Sequence, residues 1–196
     1  MHQENRNFGL DLARAIAISL VLLAHFVKKI DFLGFWGVEL FFSLSGFLIG
    51  GILWRDLVQP DQVNLKHTFN FWLRRWYRTL PNYYLFLLIM IVYHRFVTAD
   101  LNNYNTVFAS LWFGQNLLMR DSNFFGVSWS LCIEEWFYVV FPLLLLAGNY
   151  IGFKNHRLII FAASVLILFS ISLRFYLLYT DTTSGLRAIT MARMDA

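Results

Sequence analysis

Apolar runs, each interrupted by only a few polar residues, divide the chain into six blocks. The first extends from about Leu10 to Val27. The second, Phe32 to Trp54, carries Glu39 as its only charge. At a rise of about 1.5 Å per residue it is long enough to cross a hydrocarbon core of ~30 Å. A third block starts at Pro81, a residue suited to a first helical position, and continues to Tyr93. The fourth, TVFASLWFGQNLLM, is short and reads as a tilted or partial span. The fifth, Trp129 to Ala147, holds Pro142 and predicts a kink. The sixth, Leu158 to Leu173, is the clearest span. No soluble domain, low-complexity linker or internal repeat lies between the blocks. The pattern therefore predicts an all-α protein, a polytopic transmembrane helix bundle of five to six membrane segments in one domain over residues 1–196.

Composition fixes the solvent. Of 196 residues, 58% are hydrophobic and only 14% charged, more apolar surface than a single soluble core absorbs, so much of it faces lipid. The single cysteine, Cys132, lies in a membrane-like stretch and cannot form an internal disulfide. A net charge of +4 raises the question of nucleic acid, but the basic residues lie between apolar runs, and no nucleic-acid partner is expected. Arg55, Lys66, Arg74, Arg75 and Arg78 outnumber Asp56 and Asp61 between the second and third blocks. That excess makes this loop cytoplasmic, and two crossings before it put the N-terminus in the cytoplasm as well. Lys28, Lys29, Lys154 and Arg157 would then lie on the far side. The opening MHQENRNFG lacks the basic n-region of a secretory signal, so the first block is expected to stay as a membrane helix.

Inside that first block sit Asp11, Arg14 and His25. Arg14 and His25 are eleven residues apart, three turns plus about 20°, so they share one helix face at an axial separation of about 16 Å. Asp11 is within ion-pair reach of Arg14. A charge at mid-membrane depth costs at least a few kcal/mol, which favours a face turned to a bundle interior or wet cavity. Two readings stand: one wall of an internal site, or an arginine snorkelling to the headgroups beside a histidine bonded within the bundle. Glu39, in the second block, is placed either to hydrogen-bond or to balance Arg14. Gly46 and Gly50, with Ser43, Ser45 and Gly51, make a small surface read as close helix packing. No His/Cys/Asp set has metal-ligand spacing and no Gly-rich loop opens a βαβ unit, so neither a metal nor a bound cofactor is expected.

Quoted in order, LDLARAIAISLVLLAHF, GVELFFSLSGFLIGG, FWLRRWYRTLPNYY, LWFGQNLL, VSWSLCIEEWFYVVFP and the closing RMDA resemble the integral membrane acyltransferase-3 family. Its members are bacterial O-acetylases and O-acyltransferases of surface polysaccharides, peptidoglycan and other extracytoplasmic glycans. The resemblance covers nearly the whole chain but only the N-terminal part of the family's length. It implies an incomplete bundle and an expectation that this chain alone is weak or inactive.

The resemblance also implies roles. Arg14 and His25 correspond to the family's arginine and catalytic histidine, and imidazole can accept a sugar hydroxyl's proton and return it to a thiolate. Arg75 and Arg78 match its Arg-x-x-Arg, and guanidinium forks suit the phosphates of acyl-CoA, the co-substrate. A positive-inside anchor without ligand is the other reading, preferred for Arg74. Glu134 aligns with an acidic residue placed to orient His25 or the acceptor. Glu135 is read as facing water, Ser128 and Ser130 as structural, and His2, His67, His94 and His156 as surface or interfacial.

Two function classes follow. The first is a membrane-bound O-acyltransferase of the bacterial inner membrane, moving an acyl group, acetyl by preference, from acyl-CoA to a hydroxyl of a cell-surface or lipid-linked glycan. The second is a transporter or channel-like protein in which intramembrane Arg, His and Glu form an ion path. The lack of an internal repeat and the tandem arginines beside an aromatic-rich helix start weigh against it.

Overall fold

A computed structural model describes residues 8–27, 30, 32–58, 63–98, 104–115 and 124–179. His2 and the rest of the N-terminal segment through Asn7, Lys28, Lys29, Asp61, the end of the fourth block from Asn116 and the closing Arg193–Ala196 lie outside them. Among the described residues every regular element is helical: α1 (Phe8–Phe26), α2 (Phe32–Leu53), α3 (Leu65–Tyr93), α4 (Tyr104–Ser110), α5 (Trp129–Ile151) and α6 (Asn155–Tyr179). Five of these, α1, α2, α3, α5 and α6, are long and apolar enough to cross a membrane. Their exposed faces are apolar, as with Leu12, Ile16 and Leu22 on α1 or Ile160, Leu168 and Phe169 on α6, which is what lipid as solvent requires.

Two sequence expectations change. The fourth block is not a span, because α4 stops after seven residues, about 10 Å of helix. The chain turns there, with the Gly114 N–H on Ala109 O at 2.8 Å and Phe113 at φ 60°. The third block does not begin at Pro81 either. α3 begins at Leu65, where the Asn64 side chain accepts from the His67 N–H at 3.0 Å and caps the helix, and Pro81 lies inside it. Lys66, Arg74, Arg75 and Arg78 therefore stand on a helix rather than in a loop. At 29 residues α3 is about 43 Å long, so its polar first turns extend beyond a ~30 Å hydrocarbon core.

α1 and α2, as far as Ile52, form one compact unit, and the chain from Leu53 forms a second. In the first unit, α2 approaches α1 through Gly34 and Gly37. A Cβ on Gly37 would stand 2.8 Å from Ala17 O and from Val21 Cγ2, and one on Gly34 would stand 2.9 Å from Ala24 Cβ. Small residues do bring these helices together, but not the expected ones: a Cβ on Gly46, Gly50 or Gly51 would meet nothing within 4 Å.

In the second unit α3 and α5 run antiparallel. Asn149 Nδ2 donates to Val63 O at 3.1 Å near one end, and Trp72 Nε1 to Tyr138 O at 2.9 Å further along. Towards the other end Tyr83, Leu87, Phe113, Phe124 and Cys132 form one buried cluster. α5 continues through Pro142 and ends on Gly152, whose φ of 104° suits glycine, with the Phe153 N–H on Gly148 O at 3.0 Å. α6 then folds back, burying Leu158, Ala162, Leu166 and Ser170 at four-residue spacing. Because α4 does not cross, the α5–α6 turn falls at the same end as the start of α3. Lys154 and Arg157 thus share that end with Lys66 and Arg74, a correction to the opposite placement expected from six spans.

Candidate functional site

In the first unit, α1 carries Asp11, Arg14 and His25. Arg14 Nη1 donates to Asp11 Oδ1 at 3.3 Å, the ion pair expected from their spacing, with both side chains about half exposed. His25 Nδ1 lies 2.8 Å from Val21 O one turn back. A carbonyl oxygen only accepts, so Nδ1 carries a proton in this contact, and in the neutral form of the ring the lone pair is then on Nε2. That is the tautomer a general base needs, and the backbone holds it. Arg14 and His25 are both exposed. Glu39 sits on α2, where its backbone carbonyl accepts from Ser43 Oγ at 2.9 Å.

In the second unit, helix geometry divides the arginine pair. Arg75 is largely buried, and its guanidinium lies over the Tyr138 ring, 4.0 Å from the centroid. Its Nη2 donates to Tyr138 Oη and lies 3.8 Å from Glu134 Oε2. Glu134 and Tyr138 are one turn apart on α5, so both face α3 at the level of Arg75. Arg78, three residues on, is exposed. Arg74 pairs with Asp56 at 3.3 Å, and Arg55 with the same carboxylate at 3.1 Å, contacts on the surface.

Glu135 does not face water. It is 3% exposed and both carboxylate oxygens are buried, with the Thr79 hydroxyl of α3 beside it. Ser128 Oγ donates to Phe125 O at 2.7 Å and accepts from Gln115 Nε2 at 3.0 Å, tying the start of α5 to the turn after α4. The structure therefore brings together Arg75 with Glu134, and Asp11 with Arg14. Sequence reading missed Tyr138 and Gln115 and placed Glu135 in water, where the structure buries it. The four-residue spacing of Glu134 and Tyr138 was a signal for the first, whereas nothing local separates Glu135 from Glu134. Among the described residues no three His, Cys, Asp or Glu side chains gather as a metal would need.

Residues 7–187 match the acyltransferase-3 family, described as an acyltransferase domain. The chain is 31% identical over 151 residues to the peptidoglycan O-acetyltransferase OatA of Listeria monocytogenes, covering 70% of this chain and 24% of that protein. It is 34% identical over 165 residues to YrhL of Bacillus subtilis, provisionally named for the same reaction, covering 76% of this chain and 25% of that one. The chain thus spans about a quarter of the length of these relatives. No solved structure matches it. With its intramembrane histidine and arginines, its five spans and a match over most of its length, the chain belongs to the acyltransferase-3 family.

Proposed function

We propose that this chain supplies the histidine-bearing part of a membrane-bound O-acyltransferase that moves an acetyl group from acetyl-CoA to a hydroxyl of a cell-surface or lipid-linked glycan. The observation that carries the reading is the 2.8 Å contact of His25 Nδ1 with Val21 O, which leaves Nε2 as the proton acceptor. Nε2 takes the proton of the acceptor hydroxyl as its oxygen bonds to the thioester carbonyl carbon. The adduct collapses, the C–S bond breaks, and the imidazolium returns the proton to the thiolate. The products are a glycan acetyl ester and free CoA, and no other reactant is needed.

Arg14 lies on the same face about 16 Å along the axis, where it pairs with Asp11 and extends the polar wall beyond the adduct. Arg78 grips the CoA phosphates, with Arg75 beside it on α3 and Glu134 orienting the reacting groups. The basic residues of the α2–α3 and α5–α6 connections share one end and support a cytoplasmic location for that end and for the N-terminus, in a bacterial plasma membrane. The name of the Listeria relative supports peptidoglycan as the acceptor class.

The test is His25→Ala in membranes carrying the full gene product, with labelled acetyl-CoA and a glycan acceptor. Transfer should fall by roughly 10²- to 10⁴-fold, the usual worth of a general base, with membrane insertion unchanged. Near-normal transfer by the variant rejects the assignment. Ion or solute flux through liposomes without acyl chemistry would support the transporter reading instead.

A further inference from the structure

Lys154, His156 and Arg157 stand close together in the chain where α5 turns into α6, and the mechanism above uses none of them. Backbone and apolar contacts fix this turn. The Gly152 N–H donates to Asn149 O at 3.1 Å, Phe153 stacks on Phe161 with ring centroids 4.8 Å apart, and Leu158 is buried. The three basic side chains are exposed. With Ile151, Phe153 and Asn155 they line an open cavity of about 620 Å³, within the range of small-ligand sites.

Among the described residues no carboxylate lines that cavity, so the formal charge of its walls has one sign. In the second unit the one described acid outside the start of α5 is Asp56, and Arg55 and Arg74 hold it at 3.1 and 3.3 Å. Membrane depth narrows the choice of guest. α5 and α6 are both long and apolar enough to span, which puts the turn between them at the level of the headgroups. Tyr150, Ile151 and Ile160 beside it are largely exposed and lead from the turn towards the hydrocarbon.

We propose that this cavity seats the headgroup of an anionic phospholipid, with its phosphate diester between Lys154 and Arg157 and its acyl chains along the exposed apolar flanks of α5 and α6. The binding does not depend on the acyltransferase reading. Arginine can hold two phosphate oxygens at once, and lysine adds a point charge. Basic pockets between membrane helices take such headgroups in general. A zwitterionic lipid fits less well, because its ammonium group would meet cations and no lining carboxylate. A soluble phosphate ester such as CoA matches the charge but leaves the apolar flanks without a partner. On the proposed orientation the lipid is drawn from the inner leaflet.

The probe is phosphatidylglycerol, offered to the purified chain in detergent with an equal amount of phosphatidylcholine of the same chain length. Native mass spectrometry counts the bound lipid. Phosphatidylglycerol should be retained at least about tenfold better. The double variant Lys154→Gln/Arg157→Gln should lose that preference with helical circular dichroism retained. Lys66→Gln/Arg74→Gln removes the same charge from the same end and should change the preference by less than about twofold. Exchanging the two cations, as Lys154→Arg/Arg157→Lys, should preserve it. Equal retention of the two lipids by the wild type, an equal loss in both glutamine variants, or displacement of phosphatidylglycerol by CoA would each overturn the proposal. The second outcome would mean that only the overall charge of that end attracts lipid, and the third that the turn takes soluble phosphate esters.

Discussion

Arg75 and Arg78 are three residues apart on one helix, yet their surroundings assign them different work. Arg75 stacks on Tyr138, donates to its hydroxyl and approaches Glu134, so it fixes α3 to α5. Lysine at Arg75 keeps the charge but loses the planar fork and the stacking, and should lower stability by about 1–3 kcal/mol in thermal unfolding of the detergent-solubilised chain. Lysine at Arg78 should leave stability within about 0.5 kcal/mol of the wild type. If Arg78 grips phosphate, CoA affinity should drop in that variant alone or more than in the other. Equal stability loss in both variants would mean that Arg75 is not the clamp its contacts describe. The spacing made the pair visible in the sequence. Which member turns inward depends on where α5 lies, and no property of the Arg-x-x-Arg string encodes that.

At the level of elements, glycine shows the same separation between composition and packing. Gly46 and Gly50 have the four-residue spacing of a helix-packing motif, whereas Gly34 and Gly37, at three, make the close approach to α1. Gly37→Ala would push a methyl group against Ala17 O and should destabilise the α1–α2 pair by about 1–3 kcal/mol. Gly46→Ala meets open space and removes a poor helix former, so it should be neutral or slightly stabilising. The measurement is thermal or denaturant unfolding of the two variants in the same detergent, and the reversed order would count against the described α1–α2 contact. Pro81 illustrates a different limit. A proline fits a helix start but is also tolerated inside a membrane helix, and the Asn64 cap, seventeen residues earlier, decides where α3 begins.

For the whole molecule, removing one crossing reverses the side assigned to everything after it. With α4 too short to span, the α5–α6 turn returns to the end where α3 starts, as the Asn149–Val63 hydrogen bond requires. Single cysteines at Lys66, Lys154 and Arg95 test this, because the native Cys132 is fully buried and should contribute little background. In intact cells a membrane-impermeant maleimide should treat Lys66→Cys and Lys154→Cys alike and Arg95→Cys oppositely. Labelling of Lys154→Cys together with Arg95→Cys would restore a sixth crossing. On the proposed orientation only Arg95→Cys reacts from outside.

The sequence by itself determined the solvent, the helical class, five of the spans and the family. Each of these rests on local properties, namely the length of an apolar run and the order of short motifs, which hold whatever the neighbours do. The Asp11–Arg14 pair was legible for the same reason, since both residues lie within one turn of one helix. Tertiary structure alone decided that Glu135 is buried while Arg75 reaches Glu134 and Tyr138, that Gly37 rather than Gly46 meets a partner helix, and that Lys154 and Lys66 share an end. Burial, close approach and sidedness belong to pairs of elements, and they are set only when α3, α5 and α6 dispose their faces against one another.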